Sequence, residues 1–400
     1  MKKILSLILL VASTPLFATP YFSGETGAVA KFANTETSEF KPSLRFDAFI
    51  AGQISLNNKL LLRGEASLQT EDLYENGSTN ETLSVFRVNE ISATYTTSSY
   101  GTTKSLSFFK GNFENIGTQQ FVQRRLGAQN YASSLTENYL GQNGVSAYQV
   151  YGYGGSASLT FKSIPISTGL VISRNDEKDD REYQINFDWR FATAFRYLTV
   201  DLLAGCGAPV TRKNSDGEDV YLLIETLYLH GGIDMLLGNR HSPIALYILG
   251  GFDDYPVKEK KDGSDKLKVE DVFALAELRF NLNGARIHIT GYNVPSASLE
   301  KMLFINESFG LNYRFICDKL HTSKRNFSVG FDFTMGYEGK YVKDFFDKDL
   351  NDVLNVKISP FTEIDAMDGK LKIYGLINLT KISDKKPESA KLFIGYKKDL

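Results

Sequence analysis

The sequence predicts an all-β protein, a transmembrane antiparallel up-and-down β-barrel of about 18 strands, with about 16 as the nearest alternative. Three observations predict it. Apolar and polar residues alternate with period two through most of the chain. The connections between these runs are short and long by turns. Beyond an N-terminal apolar stretch, the 400 residues hold no apolar run near the roughly 18 that a membrane helix needs.

The N-terminus reads first. Lys2 and Lys3 precede the apolar run Ile4–Ala12, Pro15 breaks it, and Leu16-Phe17-Ala18 ends on a small residue. This is the pattern of a secretory signal peptide over residues 1–18, cleaved after Ala18. The apolar run is about half the length of a spanning helix, which disfavours an anchor. Residues 19–400 then form one domain.

The strands follow from side-chain period. In Gln184–Phe191, the residues Ile185, Phe187, Trp189 and Phe191 are apolar, and Gln184, Asn186, Asp188 and Arg190 are polar. On a strand these sets face opposite ways. Leu44–Asp47, Leu62–Ala66, Ala276–Phe280, Ile287–Thr290, Phe327–Phe333, Leu354–Ile358 and Leu371–Ile373 repeat the pattern. Helical spacing is confined to Ser298–Phe304 and Lys343–Leu350, both between strands. A soluble sandwich also alternates, but these runs are about 9 to 15 residues, near the length of a tilted membrane strand. Their polar faces also carry full charges, as a wall facing water can.

The connections order the strands. Short ones fall at Asn57-Asn58, Ser98–Thr103, Ser163–Pro165, Ala192–Phe195, Gly238–Ser242, Asn283-Gly284, Asp318–Ser323 and Asp365–Asp368. Asn-Gly is the strongest hairpin signal among them. Long ones fall at Asn34–Pro42, Glu71–Glu81, Phe113–Asn143, Arg174–Arg181, Gly207–Glu218, Asp253–Leu267, Val294–Met302, Glu338–Leu350 and Ser383–Glu388. Eight short and nine long connections in strict alternation make eighteen strands, with both termini on the short-turn side. The count treats Gly144–Lys162, through Gly152-Tyr153-Gly154-Gly155, as one strand with a glycine bend.

Composition excludes other classes. Lys and Arg total 45 against 47 Asp and Glu, a formal charge of −2, so no basic field exists for nucleic acid. Two cysteines in 400 residues build neither a disulfide scaffold nor a multi-cysteine zinc site. Cys206 and Cys317 are expected at opposite rims, some 25 Å apart, and therefore free. The 28 Phe and 21 Tyr need a large apolar surface. Tyr95, Phe280, Tyr313, Phe315, Phe327 and Tyr396 suit aromatic girdles, or ordinary lipid-facing bulk. The histidines His230, His241, His288 and His321 lack partners at a catalytic spacing, so no enzyme, cofactor or metal site is expected. The acidic run Asp176–Asp180 reads as a solvated loop tip.

Taken together, the export signal, the alternating strands and the short-turn, long-loop order resemble a Gram-negative outer-membrane porin. The last strand places Leu392, Ile394, Tyr396, Lys398 and Leu400 on one face; Lys398 and Leu400 depart from the alternating apolar, terminally aromatic ending of that family. That ending and the Trp-poor style also resemble spirochaete outer-membrane proteins. The resemblance implies a channel for small hydrophilic solutes in outer-membrane lipid, assembled by periplasmic chaperones and a barrel-assembly machinery. It also implies that the loop 113–143 folds inward as a constriction, with Arg124 and Arg125 opposing carboxylates and Glu114 and Glu137 as its own acids. A solvent-exposed outer loop is the other use open to it.

Parity assigns the inward charges Arg45, Asp47, Arg63, Glu65, Glu90, Lys110, Asp188, Arg190 and Asp201, and then Glu225, Glu277, Arg279, Arg286, Arg314, Asp332, Lys357 and Lys372. Nine are basic and eight acidic, which disfavours a single-ion ring. Pairing is expected for Asp188 near Arg190, and for Glu277 with Arg286 across the 283–284 turn. A narrow barrel for hydrophobic ligands, a surface adhesin and a secreted soluble β-protein are the alternatives.

Overall fold

The computed structural model describes residues 21–34, 42–74, 84–136, 145–176, 183–213, 219–223, 227–239, 241–257, 271–299, 302, 305, 307–322, 325–337, 354–382 and 390–400. Its strands are β1 (Tyr21–Asn34), β2 (Pro42–Ser55), β3 (Leu60–Thr70), β4 (Ser84–Ser99), β5 (Thr102–Asn112), β6 (Tyr151–Phe161) and β7 (Ile166–Asn175). There follow β8 (Tyr183–Phe195), β9 (Leu198–Lys213), β10 (Asp219–Leu223), β11 (Tyr228–Leu237), β12 (Ile244–Pro256) and β13 (Phe273–Leu282). The last six are β14 (Ala285–Asn293), β15 (Phe309–Thr322), β16 (Arg325–Tyr337), β17 (Leu354–Ala366), β18 (Gly369–Asn378) and β19 (Ala390–Asp399). Three short helices interrupt them: α1 (Gln120–Leu126), α2 (Ser296–Leu299) and α3 (Leu379–Ile382).

Every strand pairs antiparallel with its neighbour, and β1 closes on β19 from Glu25↔Asp399 to Ala33↔Lys391. The wall has eighteen strands, because β10 pairs only with the outer end of β9, and β9 passes directly to β11. All eight expected short turns are hairpins. Two shift: Ala192–Phe195 lies within β8, and the turn is Arg196-Tyr197; Asp318–Thr322 lies within β15, where Thr322 pairs with Arg325 of β16. The long strand expected over Gly144–Lys162 is shorter, since 145–150 belong to the preceding loop and the strand starts at Tyr151. Of the expected helical turns, 298–299 fall in α2, whereas Lys343–Leu350 lie outside the described residues, as do residues 1–18 and Glu225.

Period two sorts the faces as expected. Ile50, Phe108, Leu170, Phe187 and Ile289 are exposed on the outside, and Ser107, Gln184, Asp201 and Thr290 are buried on the inside. The six expected girdle aromatics all lie on the outward face, with Tyr95 exposed and the other five half-buried. Both cysteines are free, and both share that outward face. Lys110 is a correction. It follows the outward residues Leu106 and Phe108, and its ammonium lies 5.1 Å from the Tyr153 ring centroid. At the end of an apolar face a lysine can extend to the interface beside an aromatic ring.

Paired glycines mark where the chain leaves the wall for the lumen. Gly111 at the end of β5 sits opposite Gly152 at the start of β6, with φ +94° and +117°. A Cβ on Gly152 would stand 1.9 Å from the Arg174 carbonyl oxygen, in a conformation that L side chains rarely adopt. Gly152→Val is expected to destabilise the barrel by at least about 2 kcal/mol. The check is a lower temperature for the folded-to-unfolded mobility shift on detergent gels.

Candidate functional site: an inward-folded loop and its polar cavity

Between β5 and β6 the chain runs inside the barrel. Phe113 stacks on the inward ring of Phe109 with centroids 4.2 Å apart. Backbone bonds Ile116 N–H to Tyr148 O and Ala147 N–H to Ile116 O hold the two limbs of the loop together. Gln119, in the left-handed region, starts α1, and Gly127 ends it by donating its N–H to the Gln123 carbonyl. Ile116, Leu135, Val145 and Val150 then join Leu203, Tyr247, Leu249 and Leu275 of the β9, β12 and β13 walls in one apolar cluster. The loop thus fills the side of the lumen bounded by β8 to β14.

Charged groups fix the loop at its margins. Arg124 donates to both Glu90 carboxylate oxygens at 2.9 and 3.1 Å and reaches Glu114 at 3.4 Å. Arg125 reaches Glu114 at 3.2 Å and the Ser107 hydroxyl at 3.4 Å. Burial opposes the charge on Arg124, but Glu90 and Glu114 outweigh it and raise its pKa above the ordinary arginine value. From the wall, Arg190 donates to the backbone oxygen of Glu114, and Arg279 donates to the Tyr131 and Ala132 carbonyls at 2.9 and 3.1 Å. Ser133 donates to Glu277 at 2.5 Å.

The structure therefore brings Arg124, Arg125 and Glu114 together, while Glu137 lies outside the described residues. Arg63 joins the same cluster, 3.2 Å from Glu90 and 3.8 Å from Glu65. The other lumen residues share the inward face but are mostly not a hydrated wall. Asp188, Arg190, Glu277 and Lys357 are 0–2% exposed, because loop segments cover them. Their partners also differ from expectation. Asp188 meets His230 at 2.5 Å, Arg190 forks onto Asp201 with two bonds of 2.8 Å, and Glu277 meets Arg279 at 2.6 Å. Lys357 meets Glu307 of the β14–β15 loop at 2.6 Å. Arg286 turns to Asp318 at 2.5 Å instead of Glu277, because Asp318 sits at a register shift in β15 next to it. At the outer end of β2, Asp47 pairs with Lys31 and Arg45 is exposed.

Beside the loop a cavity of about 570 Å³ remains open. Arg124, Arg125, Gln120 and Gln123 of α1 line one side, and Ser92, Thr94, Thr96, Thr103 and Ser105 of β4 and β5 line the other. Sequence reading missed this hydroxyl wall, His230 and Glu307. The Ser/Thr run of β4 and β5 was a legible signal for the first; nothing local marks the other two.

No protein-family model and no curated protein sequence matches the chain. Among solved structures it is similar to Salmonella typhi OmpF in complex with daunomycin: 10% identity, 95% of this chain and 97% of that one, TM-score 0.44. It is also similar to a mutant Rh. blastica porin, with 10% identity, 96% and 100% coverage and TM-score 0.46. A third is Wzi of Escherichia coli, a carbohydrate-binding β-barrel involved in group 1 capsule assembly, with 8% identity, 99% and 87% coverage and TM-score 0.47.

Two predictions follow from the loop's anchors. Arg124→Ala leaves Glu90 and Glu114 buried with one arginine fewer, at an expected cost of about 3–5 kcal/mol to the docked loop. Limited proteolysis within residues 113–150 should become faster, with the barrel itself intact. Burial, then Asp234 and Asp201, hold the Tyr131 phenol well above its ordinary pKa. Its neutral form is the one that docks, so loop docking is undiminished below about pH 10 and weakens as pH rises beyond it. Tyr131→Phe should reduce that alkaline loss in the same proteolysis assay.

Proposed function

We propose that the chain is an outer-membrane channel through which small hydrophilic solutes diffuse passively, with residues 113–150 as its constriction. One observation carries this reading. An eighteen-strand barrel is wide enough for an aqueous lumen, and beside the inward loop a polar cavity of about 570 Å³ remains. The cavity is bounded by charged and hydroxylated groups, the surface a hydrated solute can slide along without losing hydrogen bonds.

Residues 1–18 would direct export in this reading, and the exposed outer rings would meet membrane lipid. Strand β1 must wait for β19 before its edge is covered, which supports handling by periplasmic chaperones and a barrel-assembly machinery. The channel needs no catalytic group. His230 is buried against Asp188 and stacks on Tyr148, a packing role within the loop's seat.

Purified protein in planar bilayers is expected to give stepwise conductance. Deleting residues 118–138 should raise the step at least about two-fold, since α1 forms one side of the cavity. Absence of steps contradicts the channel; steps unchanged by the deletion contradict the constriction.

A further inference from the structure

We propose that the cavity beneath α1 selects neutral, hydroxyl-rich solutes over ions. The inference rests on the channel reading and specifies its substrate class.

The inward faces of β4, β5, β6 and β7 carry a lattice of hydroxyls. Thr94, Ser107 and Ser156 stand side by side in the first row. Thr96, Ser105 and Ser158 form the second. Ser98, Thr103, Thr160 and Ser167 form the third, nearest the turns. Gly169 and Val171 complete the first two rows on β7, so nothing charged or bulky and polar interrupts the lattice. Neighbouring hydroxyls bond across strands: Thr94 with Ser107 at 2.9 Å, Thr96 with Ser105 at 3.2 Å, Ser98 with Thr103 at 3.0 Å, and Thr160 with Ser167 at 2.9 Å. The Ser158 hydroxyl, in a residue only 5% exposed, has no partner among the described residues, although it lies on the same face between two lining positions, Ser105 and Thr160.

Sheet geometry spaces such a lattice at about 4.8 Å between strands and about 7 Å along them. Each hydroxyl can both donate and accept. Of this lattice Thr94, Thr96, Thr103, Ser105 and Thr160 line the cavity, so a polyol entering it can exchange water contacts for contacts to them one at a time, at little net cost.

An ion finds no such exchange. The charged residues that line the cavity are Glu25 and Glu65 against Arg63, Arg124, Arg125 and Lys397, and the buried Glu90 and Glu114, paired behind the arginines, bring the sum to 4 − 4 = 0. Each is already held in an ion pair, Lys397 with Glu25 at 2.5 Å. No uncompensated charge is left to replace the hydration of a passing anion or cation.

The test uses the full-length protein in proteoliposomes, with swelling followed by light scattering. The probes are mannitol, gluconate, protonated glucosamine and tetraethylene glycol, which are similar in size. Mannitol is expected to enter roughly three-fold or more faster than each of the others. In the triple variant Thr94→Val, Thr96→Val and Thr103→Val, checked for β-sheet circular dichroism, that preference should fall to about one-fold. A second measurement needs no variant: in a KCl gradient the unmodified channel should show a reversal potential near zero. Equal entry of all four probes, strong anion or cation selectivity, or a preference retained in the folded variant would overturn the inference while leaving the channel intact. Absence of both swelling and conductance would overturn the channel reading itself.

Discussion

An open strand edge would leave a row of backbone donors and acceptors unpaired, and the pairing of β1 with β19 removes that edge for the whole sheet. Closure leaves no edge among the wall strands. It also fixes parity: once the first and last strands are in register, each residue between them faces outward or into the lumen. Phe187 and Trp189 are thereby turned outward, and Asp188 and Arg190 inward, within four consecutive positions.

Closure creates a second problem, which the inward loop solves. A lumen lined by Arg190, Asp201, Glu277 and Arg279 must be filled with water or with matching polar groups. On the β8–β14 side it is filled by the loop, which supplies the Glu114, Tyr131 and Ala132 carbonyls and the Ser133 hydroxyl to those charges. Apolar packing of Ile116, Tyr148 and Leu135 against the same wall adds non-directional attraction. On the β1–β6 side the wall is hydroxylated and charge-balanced, and it remains open. The division of the lumen is thus built into the wall's composition, with buried ion pairs setting the position of the loop rather than its overall stability.

Strand count, faces and turn order were legible because each depends on local periodicity and turn chemistry. Asn283-Gly284 forms the turn between β13 and β14 with Gly284 at φ +91°, whereas at the β17–β18 hairpin Met367 and Asp368 take the left-handed positions and Gly369 already pairs with Ala366. Arg124, Arg125 and Glu114 were legible as a cluster because they share one loop. What they touch was not: Glu90 lies 34 positions from Arg124, and Ser133 lies 144 from Glu277. Lys110 misled because charge alone does not distinguish a lumen residue from one reaching the interface at the end of an apolar face. The coverage of Asp188, Arg190 and Glu277 was illegible for the same reason as the contacts, since it is made by distant chain.

The central claim is that the loop lies within the lumen and is tethered to the wall through Arg124 and Glu90. A double-mutant cycle on single-channel conductance tests it most directly, with Glu90→Arg, Arg124→Glu and the pair together. Direct contact predicts that each single exchange changes the conductance and that the double exchange returns it toward the unmodified value. Additive changes in the double variant would contradict the contact, and with it the inward position of the loop.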